Sequence, residues 1–570
     1  MPAIWKLAHI IPLPKPGKPS EEGLSYRPIS LLCPLVKLLE RILLGQITEA
    51  LPKGANQHGF APLHSTTTAV FPIANRIATA FNEIKPASRV ATVAVDISKA
   101  FDSVDTNMLL DRIADSNLHP NLVRWLGAYL KGRKAATIYQ GVKSAQRAVH
   151  LGVPQGAVLS PALFNYFVST IPSSAEISCM YADDNTMSES GTVAEIEERL
   201  QQDVNELVVW CEENNLKIEP SKSSVCLFTP WTSPLERNPV ISINGVQLQV
   251  ENMLKILGIV LSRHGSFTPH IDGFLLSCKE RLKILRALAG SSWGCQKEVI
   301  LMTYRALIWP VICYGCPVWF PMSAPGKLQE IQRIQNSALR IATGCHMKSN
   351  IYHLHDECKI LLVKDHLELL CCQFLVSSLR RNHPSHNIVR KLPARRSRVA
   401  PTEDFTPKET LYNFFKDKVM PFIVNDVVPE EGYKAALRSL HTDFVSRALE
   451  NFSPNAVLGV RPPEISEEEV QLPRKARTTL SQLRSGYSIK LNSYKLSIGL
   501  RQDGLCPECE VHEHTTSHLF DCPAHPTHLT IADLWSKPRE VIGFLVSLPS
   551  FDDLLPADPP APPPPPEPPP

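Results

Sequence analysis

The apolar pattern changes its period once along the chain, near residue 273, and that change limits the architectures open to it. Up to about Ser262, strand-like and helix-like runs alternate, which predicts an α/β (α+β) layout. Val90–Ile97 is apolar and β-branched, a buried strand, and Ile177–Tyr181 is a second strand ending in an acidic turn. Thr192–Asn214 has helical periodicity and many acids. Leu227–Phe228, Val240–Ile243 and Val246–Val250 read as short strands, with Asn244-Gly245 as a hairpin turn. From about Gly273 the period becomes that of a helix: Leu275, Leu282, Leu285 and Leu288 mark one, and Val299–Ile308 and Leu328–Ile341 continue the pattern. Pro393, Pro401 and Pro407 suggest a linker within 383–410, followed by a helical segment over Leu411–Phe452. The residues Pro556–Pro570 are nearly all proline and should form a solvated polyproline II tail.

At 570 residues the chain is too long for one compact core. With 44% hydrophobic and 20% charged residues it is neither wholly disordered nor a coiled coil. A net charge of +3 means that any nucleic-acid footprint must be local. Fifteen cysteines are too sparse for a disulfide scaffold. Lys6, Pro12, Pro14 and Lys15 break the apolar runs of the first residues, which is no secretory signal. The longest apolar stretch, Ala306–Met322, contains Pro310 and Pro317 and falls short of the roughly 20 residues that span a bilayer, so it reads as core. The expectation is a protein with no membrane partner that is not secreted, in a reducing compartment by default.

Three segments carry the chemistry: Ala94-Val95-Asp96-Ile97-Ser98-Lys99-Ala100-Phe101-Asp102, Gly152-Val153-Pro154-Gln155-Gly156 with Ser160-Pro161, and Tyr181-Ala182-Asp183-Asp184. An isolated Asp pair after a strand is usually only a turn. Here Asp96 ends one buried strand, and Asp183 and Asp184 occupy the turn after another. If the strands are sheet neighbours, the carboxylates meet. Clustered carboxylates stay ionised only with cations among them, and hard oxygen ligands suit Mg²⁺. Two such ions about 3.5–4 Å apart would clamp the attacking and leaving oxygens of a phosphoryl transfer.

Together these segments resemble the three central motifs of reverse transcriptases, and in subtype those of non-LTR (LINE-type, jockey-like) retrotransposons. Further stretches fit the resemblance. Ile11-Pro12-Leu13-Pro14-Lys15-Pro16-Gly17-Lys18 and Tyr26-Arg27-Pro28-Ile29-Ser30-Leu31 resemble fingers segments, and Gln57-His58-Gly59-Phe60 with Ser65-Thr66-Thr67 the next block. Trp210, Asn215-Leu216 and Pro220-Ser221-Lys222 resemble the motif after the catalytic hairpin, Lys255-Ile256-Leu257-Gly258 the primer grip, and Tyr304, Leu307, Tyr314-Gly315 and Val318-Trp319 the thumb. The resemblance implies a right-hand polymerase with fingers, palm sheet and helical thumb, followed by a mostly helical C-terminal region. It implies that Asp96, Asp183 and Asp184 are the magnesium ligands and that Phe101 is a steric gate against the ribose 2′-hydroxyl, though Phe101 also suits a plain core position. Gln155 and Gly156 would touch nucleotide and template. Arg27, with Lys15 or Lys18, would hold the triphosphate, and Lys222 would protonate the departing pyrophosphate. Ala182 between Tyr181 and the acids leans toward DNA synthesis on RNA. Ala61, Glu219 and Ile256 stand where the family more often has a basic residue, an Asn and an aromatic.

Cys506-Pro507-Glu508-Cys509, His518 and Cys522 have the spacing C-x2-C-x8-H-x3-C. Thiolates and imidazole at such spacing can close a tetrahedral Zn²⁺ shell, a structural staple for a short loop-rich segment. His512 and His514 are alternates for the imidazole. This motif resembles the CCHC finger that many such elements carry after the polymerase. The basic stretch before it, Arg474, Lys475, Arg477, Arg484, Lys490 and Lys495 with Tyr487 and Tyr494 among them, could grip single-stranded RNA by charge and stacking.

The expected domains are therefore N-terminally truncated fingers and palm over 1–262, a helical thumb over 263–382, a linker and basic helical region over 383–500, the finger over 501–526, a short helical segment over 527–548 and a proline-rich tail over 549–570. The expected partners are an RNA template, a DNA primer and deoxynucleoside triphosphates, with an endonuclease acting in trans, since no endonuclease motif occurs in the chain. A catalytically silent, RNA-binding remnant of such an element is the alternative.

Overall fold

The computed structural model describes all residues except 16, 18, 20, 84–87, 232–236, 391–410, 425–426 and 555–570. Lys18, most of the expected linker and the proline tail lie outside the described residues. The chain divides into two compact units. The first comprises Met1–His270, Pro317–Met322 and Phe374–Glu431, and the second the remaining segments from Ile271 onward. Residues from Gly432 on thus group with the helices after His270, a division that does not follow the expected cuts at 262, 382 and 500.

In the first unit, strands β1 (Leu7–Pro14) and β2 (Tyr26–Leu31) pair antiparallel, with Leu13 opposite Arg27. Helix α1 (Pro34–Ala50) begins on Pro34, whose missing N–H costs nothing at a helix start. Helix α2 (Thr66–Asn82) opens on a capping box in which Ser65 and Thr68 exchange side-chain-to-backbone hydrogen bonds. Strand β3 (Arg89–Ser98) follows, and β4 (Arg133–Tyr139) adds to β1 in parallel. Strands β5 (Ile177–Tyr181) and β6 (Asp184–Gly191) form a tight hairpin. Helix α3 (Val193–Glu213), capped by a Thr192–Glu195 box, leads to β7 (Ser224–Phe228).

Two sheets result. One joins β2, β1 and β4 with two short strands. The other, central sheet runs Gln249–Val250, β7, β3, β6, β5, and the short strand Lys217–Ile218 pairs with the end of β3. Apart from the Gln249–Val250 edge, its pairs are antiparallel. Alternation along β3 sends Ala91, Val93, Val95 and Ile97 to one face, where they join Met187, Val225, Leu227 and the α3 residues Ile196, Leu200, Val204 and Leu207 in one core. The opposite face carries Thr92, hydrogen-bonded to Ser188 at 2.8 Å, and Asp96. The acid-bearing strand is therefore adjacent to the returning strand of the hairpin, with Ile177–Tyr181 one place further out. Beyond the sheet, Met253–Ile256 and Ile259–Ser262 form a hairpin whose turn residues Leu257 and Gly258 both have positive φ.

The second unit is mostly helical. Thr268–Leu288 leads into it, and Lys297–Leu307 and Pro325–Thr343 follow, each within a few residues of the periodicity-based expectation. No single described helix is long and apolar enough to cross a membrane.

The basic stretch near the C-terminus differs from its expected role. It forms helix Arg474–Ser485, and its arginines point inward. Arg474 donates to the carbonyls of Gly290, Cys295 and Ile341 at 2.7–2.8 Å. Arg477 pairs with Glu298. Arg484, with 0% of its surface exposed, bonds Glu357 at 3.0 Å, Glu469, and the Leu534 carbonyl. Lys297 lies 3.3 Å from Glu357 and 3.7 Å from Glu469. Burial alone would raise the Glu357 carboxyl, but Arg484 and Lys297 hold it below its usual range. Lys475 and Lys490 both grip Asp553, and Tyr494 is buried. A row of guanidinium groups suggested an RNA grip because the matching acids lie far away in sequence. The fold spends these charges on itself.

Candidate active site and a Cys/His cluster

Asp96 on β3 stands directly opposite Asp184, the first residue of β6. Residues directly opposite in an antiparallel pair project from the same face, so both carboxylates leave the polar face of the sheet. The hairpin turn is Ala182-Asp183, which brings Asp183 to the same edge. The three acids feel one another. The Asp184 carboxyl is pushed up to about 6, first by the crowding of surrounding chain and then by the Asp183 and Asp96 charges. Burial likewise raises Asp183, with Asp96 adding to it. Asp184 also opens to solvent. Mutually repelling oxygen donors that water can reach are the donor set that a hard divalent cation requires.

Lys222, in the turn that follows α3 along the chain, comes to the same place. Its Nζ lies 3.2 Å from Asp96 Oδ2. The 3-10 turn Pro220–Lys222 is held against β3 by the Glu219 amide donating to the Asp96 carbonyl at 2.9 Å and by the Asp96 amide donating to Ser223 Oγ.

The Pro154-Gln155-Gly156 turn is fastened to the first sheet. The Ser30 amide of β2 donates to the Gln155 carbonyl at 2.8 Å. Gly156 has φ +112°, and a Cβ there would sit 2.8 Å from the Ser30 carbonyl oxygen, so this position needs glycine. Just beyond it, buried Glu40 of α1 accepts from the Val158 and Leu159 amides. Phe101 is half-buried in the short helix Ala100–Ser103, stacked on Phe164 with ring centroids 4.2 Å apart and edge-on to Phe60. Arg27 is exposed on β2. The Lys15 amide donates to the Ser25 carbonyl, closing the β1–β2 hairpin. Asp96, Asp183, Asp184 and Lys222 thus gather at one point, and the residue pair Gln155-Gly156 is tied to the strand that carries Arg27.

One participant was not singled out from the sequence. Gln57 is 1% exposed, and its side chain reaches the acidic hairpin turn. Its Oε1 accepts from the Ala182 amide at 2.9 Å and from the Gly59 amide at 2.7 Å, and its Nε2 donates to the Ala182 carbonyl at 3.2 Å. The Gln57-His58-Gly59-Phe60 run was legible as a motif, but nothing in its spacing announces a partner so distant in sequence.

In the second unit Cys506, Cys509, His518 and Cys522 place one ligand atom each within 4.8 Å of one another. Cys506 and Cys522 sulfurs are 3.9 Å apart, near the roughly 3.8 Å that two thiolates span in a tetrahedron of Zn–S bonds. Cys509 Sγ is 3.3 Å from His518 Nε2. The two alternates fall outside the cluster. His514 is buried and its Nδ1 accepts from the Asn492 amide, while the His512 ring only leans on His518. The segment is not a free-standing finger: Leu519 and Phe520, beside His518, pack into one core with Leu480, Leu483, Tyr494, Trp535 and Val541.

The family described as reverse transcriptase (RNA-dependent DNA polymerase) matches residues 13–261, the segment that holds Asp96, Asp183 and Asp184. Among proteins it is similar to the probable RNA-directed DNA polymerase from transposon BS of Drosophila melanogaster, 30% identical over 69% of this chain and 44% of that protein. It is also similar to the RNA-directed DNA polymerase from mobile element jockey of Drosophila funebris, 29% identical over 59% of this chain and 37% of that protein. The mobile element jockey of Drosophila melanogaster gives a further similar RNA-directed DNA polymerase, 27% identical over 69% of this chain and 43% of that protein. The chain spans less than half the length of these relatives. Among solved structures, apo telomerase from Candida Tropicalis aligns over 80% of this chain and 68% of that one, at 9% identity and a TM-score of 0.37, too low to equate the folds.

Proposed function

We propose that the chain is an RNA-directed DNA polymerase that extends a DNA 3′-hydroxyl on an RNA template with deoxynucleoside triphosphates. The cross-strand register that sets Asp96 against Asp184, with Asp183 in the adjoining turn, is the observation that carries this reading. On it, the central sheet is the palm, the sheet of β1, β2 and β4 belongs to the fingers, and the helices from Thr268 form the thumb. Asp96, Asp183 and Asp184 would hold two magnesium ions. Bound there, these would make the primer hydroxyl a better nucleophile and offset charge on the triphosphate. Lys222, resting on Asp96, stands ready to give a proton to pyrophosphate. Arg27 and Lys15 would take the triphosphate tail, and Gln155-Gly156 would lie under the incoming nucleotide. Phe101 would meet the sugar, its ring fixed by Phe164.

The test is primer extension on poly(rA)/oligo(dT) with dTTP and Mg²⁺. The purified chain is expected to lengthen the primer. A chain that binds RNA yet adds no nucleotide would establish the catalytically silent reading instead.

The Cys₃His cluster we read as a structural zinc site, supported by its donor set and its spacing. Metal analysis of the full chain should find one zinc, lost in Cys522→Ser. Because the cluster shares a core with the surrounding helices, zinc removal should lower the melting temperature without abolishing the fold. Full retention of stability in Cys522→Ser would argue that the thiols are unligated.

A further inference from the structure

Ala182 has a positive φ of 57°. The left-handed region is unfavourable for a residue with a Cβ, because Cβ crowds the neighbouring carbonyl. Strain of this kind persists only where the surroundings over-determine it. Ala182 precedes Asp183 and Asp184, so its conformation sets the direction in which both carboxylates leave the turn.

The surroundings that fix it come from the segment before α2. Gln57 closes both polar groups of Ala182, accepting from its amide and donating to its carbonyl. A two-point contact of this kind fixes the orientation of the peptide as well as its position. The backbone on either side completes the grip: the Met180 amide donates to the Asn56 carbonyl at 2.9 Å, and the His58 amide donates to the Met180 carbonyl at 2.8 Å. Gly59 allows this close approach, since a Cβ there would stand 2.5 Å from the Ala182 nitrogen. The Asn165 side-chain Nδ2 donates to the Gly59 carbonyl at 2.8 Å, anchoring the clamp to the helix Ser160–Phe167 that follows the Gln155-Gly156 turn. Gln57 is buried, and its side-chain hydrogen bonds go to backbone groups of Ala182 and Gly59.

We propose that Gln57 is a positioning residue of the polymerase: it holds the Ala182 peptide in its left-handed conformation and thereby aims Asp183 and Asp184 at the cation site. The proposal rests on the polymerase reading for its kinetic consequence, but its geometric core does not. Gln57→Met is close in volume and removes all three hydrogen bonds. The expected result is a kcat lowered about tenfold to a hundredfold, with the KM for dTTP changed less than about twofold. Mn²⁺ affinity, followed by electron paramagnetic resonance without any nucleotide, should weaken about tenfold. Ala182→Gly added to Gln57→Met should recover several-fold of both losses, because glycine adopts the left-handed conformation without help. A residue that merely stabilised the fold would lower the melting temperature and show no such recovery. Should Gln57→Met fail to fold, Gly59→Ala carries the test, since its methyl group pushes on the same peptide and should give the same loss of Mn²⁺ affinity. Unchanged Mn²⁺ affinity in the folded variant, or no recovery on adding Ala182→Gly, overturns the proposal. An inactive wild-type chain would overturn the polymerase reading alone, since the Mn²⁺ comparison still tests the clamp.

Discussion

Asp184→Asn is expected to lower primer extension by about a thousandfold or more, some 4 kcal/mol of barrier, and at the same time to make the cation-free protein melt at a higher temperature at pH 7.5. The two effects have one origin. Asp184 shares a sheet edge with Asp96 and Asp183, and its carboxyl is pushed up to about 6. An acid whose pKa rises on folding binds its proton more tightly in the folded state. Below pH 4 it is protonated in folded and unfolded chains alike and costs the fold nothing. Between about pH 4 and 6 the unfolded chain ionises first, and above pH 6 the full penalty of a crowded charge is present. Asparagine removes that penalty and with it the cation ligand. The melting-temperature gain should therefore vanish below pH 4, and saturating Mg²⁺ should stabilise the wild type but not the variant. The same linkage makes protons compete with the cation, so the Mg²⁺ needed for half-maximal extension should climb as pH falls below about 6. Differential scanning fluorimetry at several pH values, with and without Mg²⁺, reads the stability side directly. Equal melting of wild type and variant in chelator at pH 7.5 would show that the acids do not repel one another.

Arg484→Ala should destabilise the second unit by about 3–5 kcal/mol, the usual cost of removing one partner from a buried ionic network. The guanidinium has no solvent exposure, and both acids it pairs with, Glu357 and Glu469, are themselves buried. Alanine leaves the two carboxylates to the more distant Lys297 and Arg477 and to the neighbouring His353. It also orphans the Leu534 carbonyl. Exposed lysines are different: neutralising one that meets only solvent should change the fold by less than about 0.5 kcal/mol. Chemical denaturation of Arg484→Ala, set beside an RNA-binding assay at several salt concentrations, separates the two roles open to an arginine here. The structural role predicts a large loss of stability and, in the fraction that folds, an unchanged salt slope of binding. A reduced salt slope with intact stability would place Arg484 on RNA.

The contrast between these two sites explains what the sequence could convey. The gathering of Asp96, Asp183 and Asp184 was legible because a strand with period two and a hairpin are local patterns, and three motifs in order narrow the register. The Cys₃His cluster was legible for the same reason, since all four residues fall within one short segment. What was not legible depended on contacts distant in sequence. Gln57 meets Ala182 across the interval that holds α2 and the whole of β3. The inward turn of Arg474, Arg477 and Arg484 depends on acids and carbonyls supplied by other helices. Charge composition alone cannot tell a guanidinium that waits for phosphate from one already paired with carboxylate. The neighbour of β3 was also open: the acid pair was expected after a strand beside it, and it is the returning strand β6 that adjoins. That order sets Asp184 directly opposite Asp96 in register.

The polymerase reading requires that Asp96, Asp183 and Asp184 serve one cation site. Iron(II)-directed hydroxyl-radical cleavage of the folded chain tests it most directly, because iron(II) occupies magnesium sites and cuts the backbone only where it is held. Two cuts are expected, one around Asp96 and one around Ala182–Asp184, both suppressed together by excess Mg²⁺ and both lost in Asp96→Asn. Cleavage at the hairpin that persists in Asp96→Asn, with no cut near residue 96 in the wild type, would contradict it.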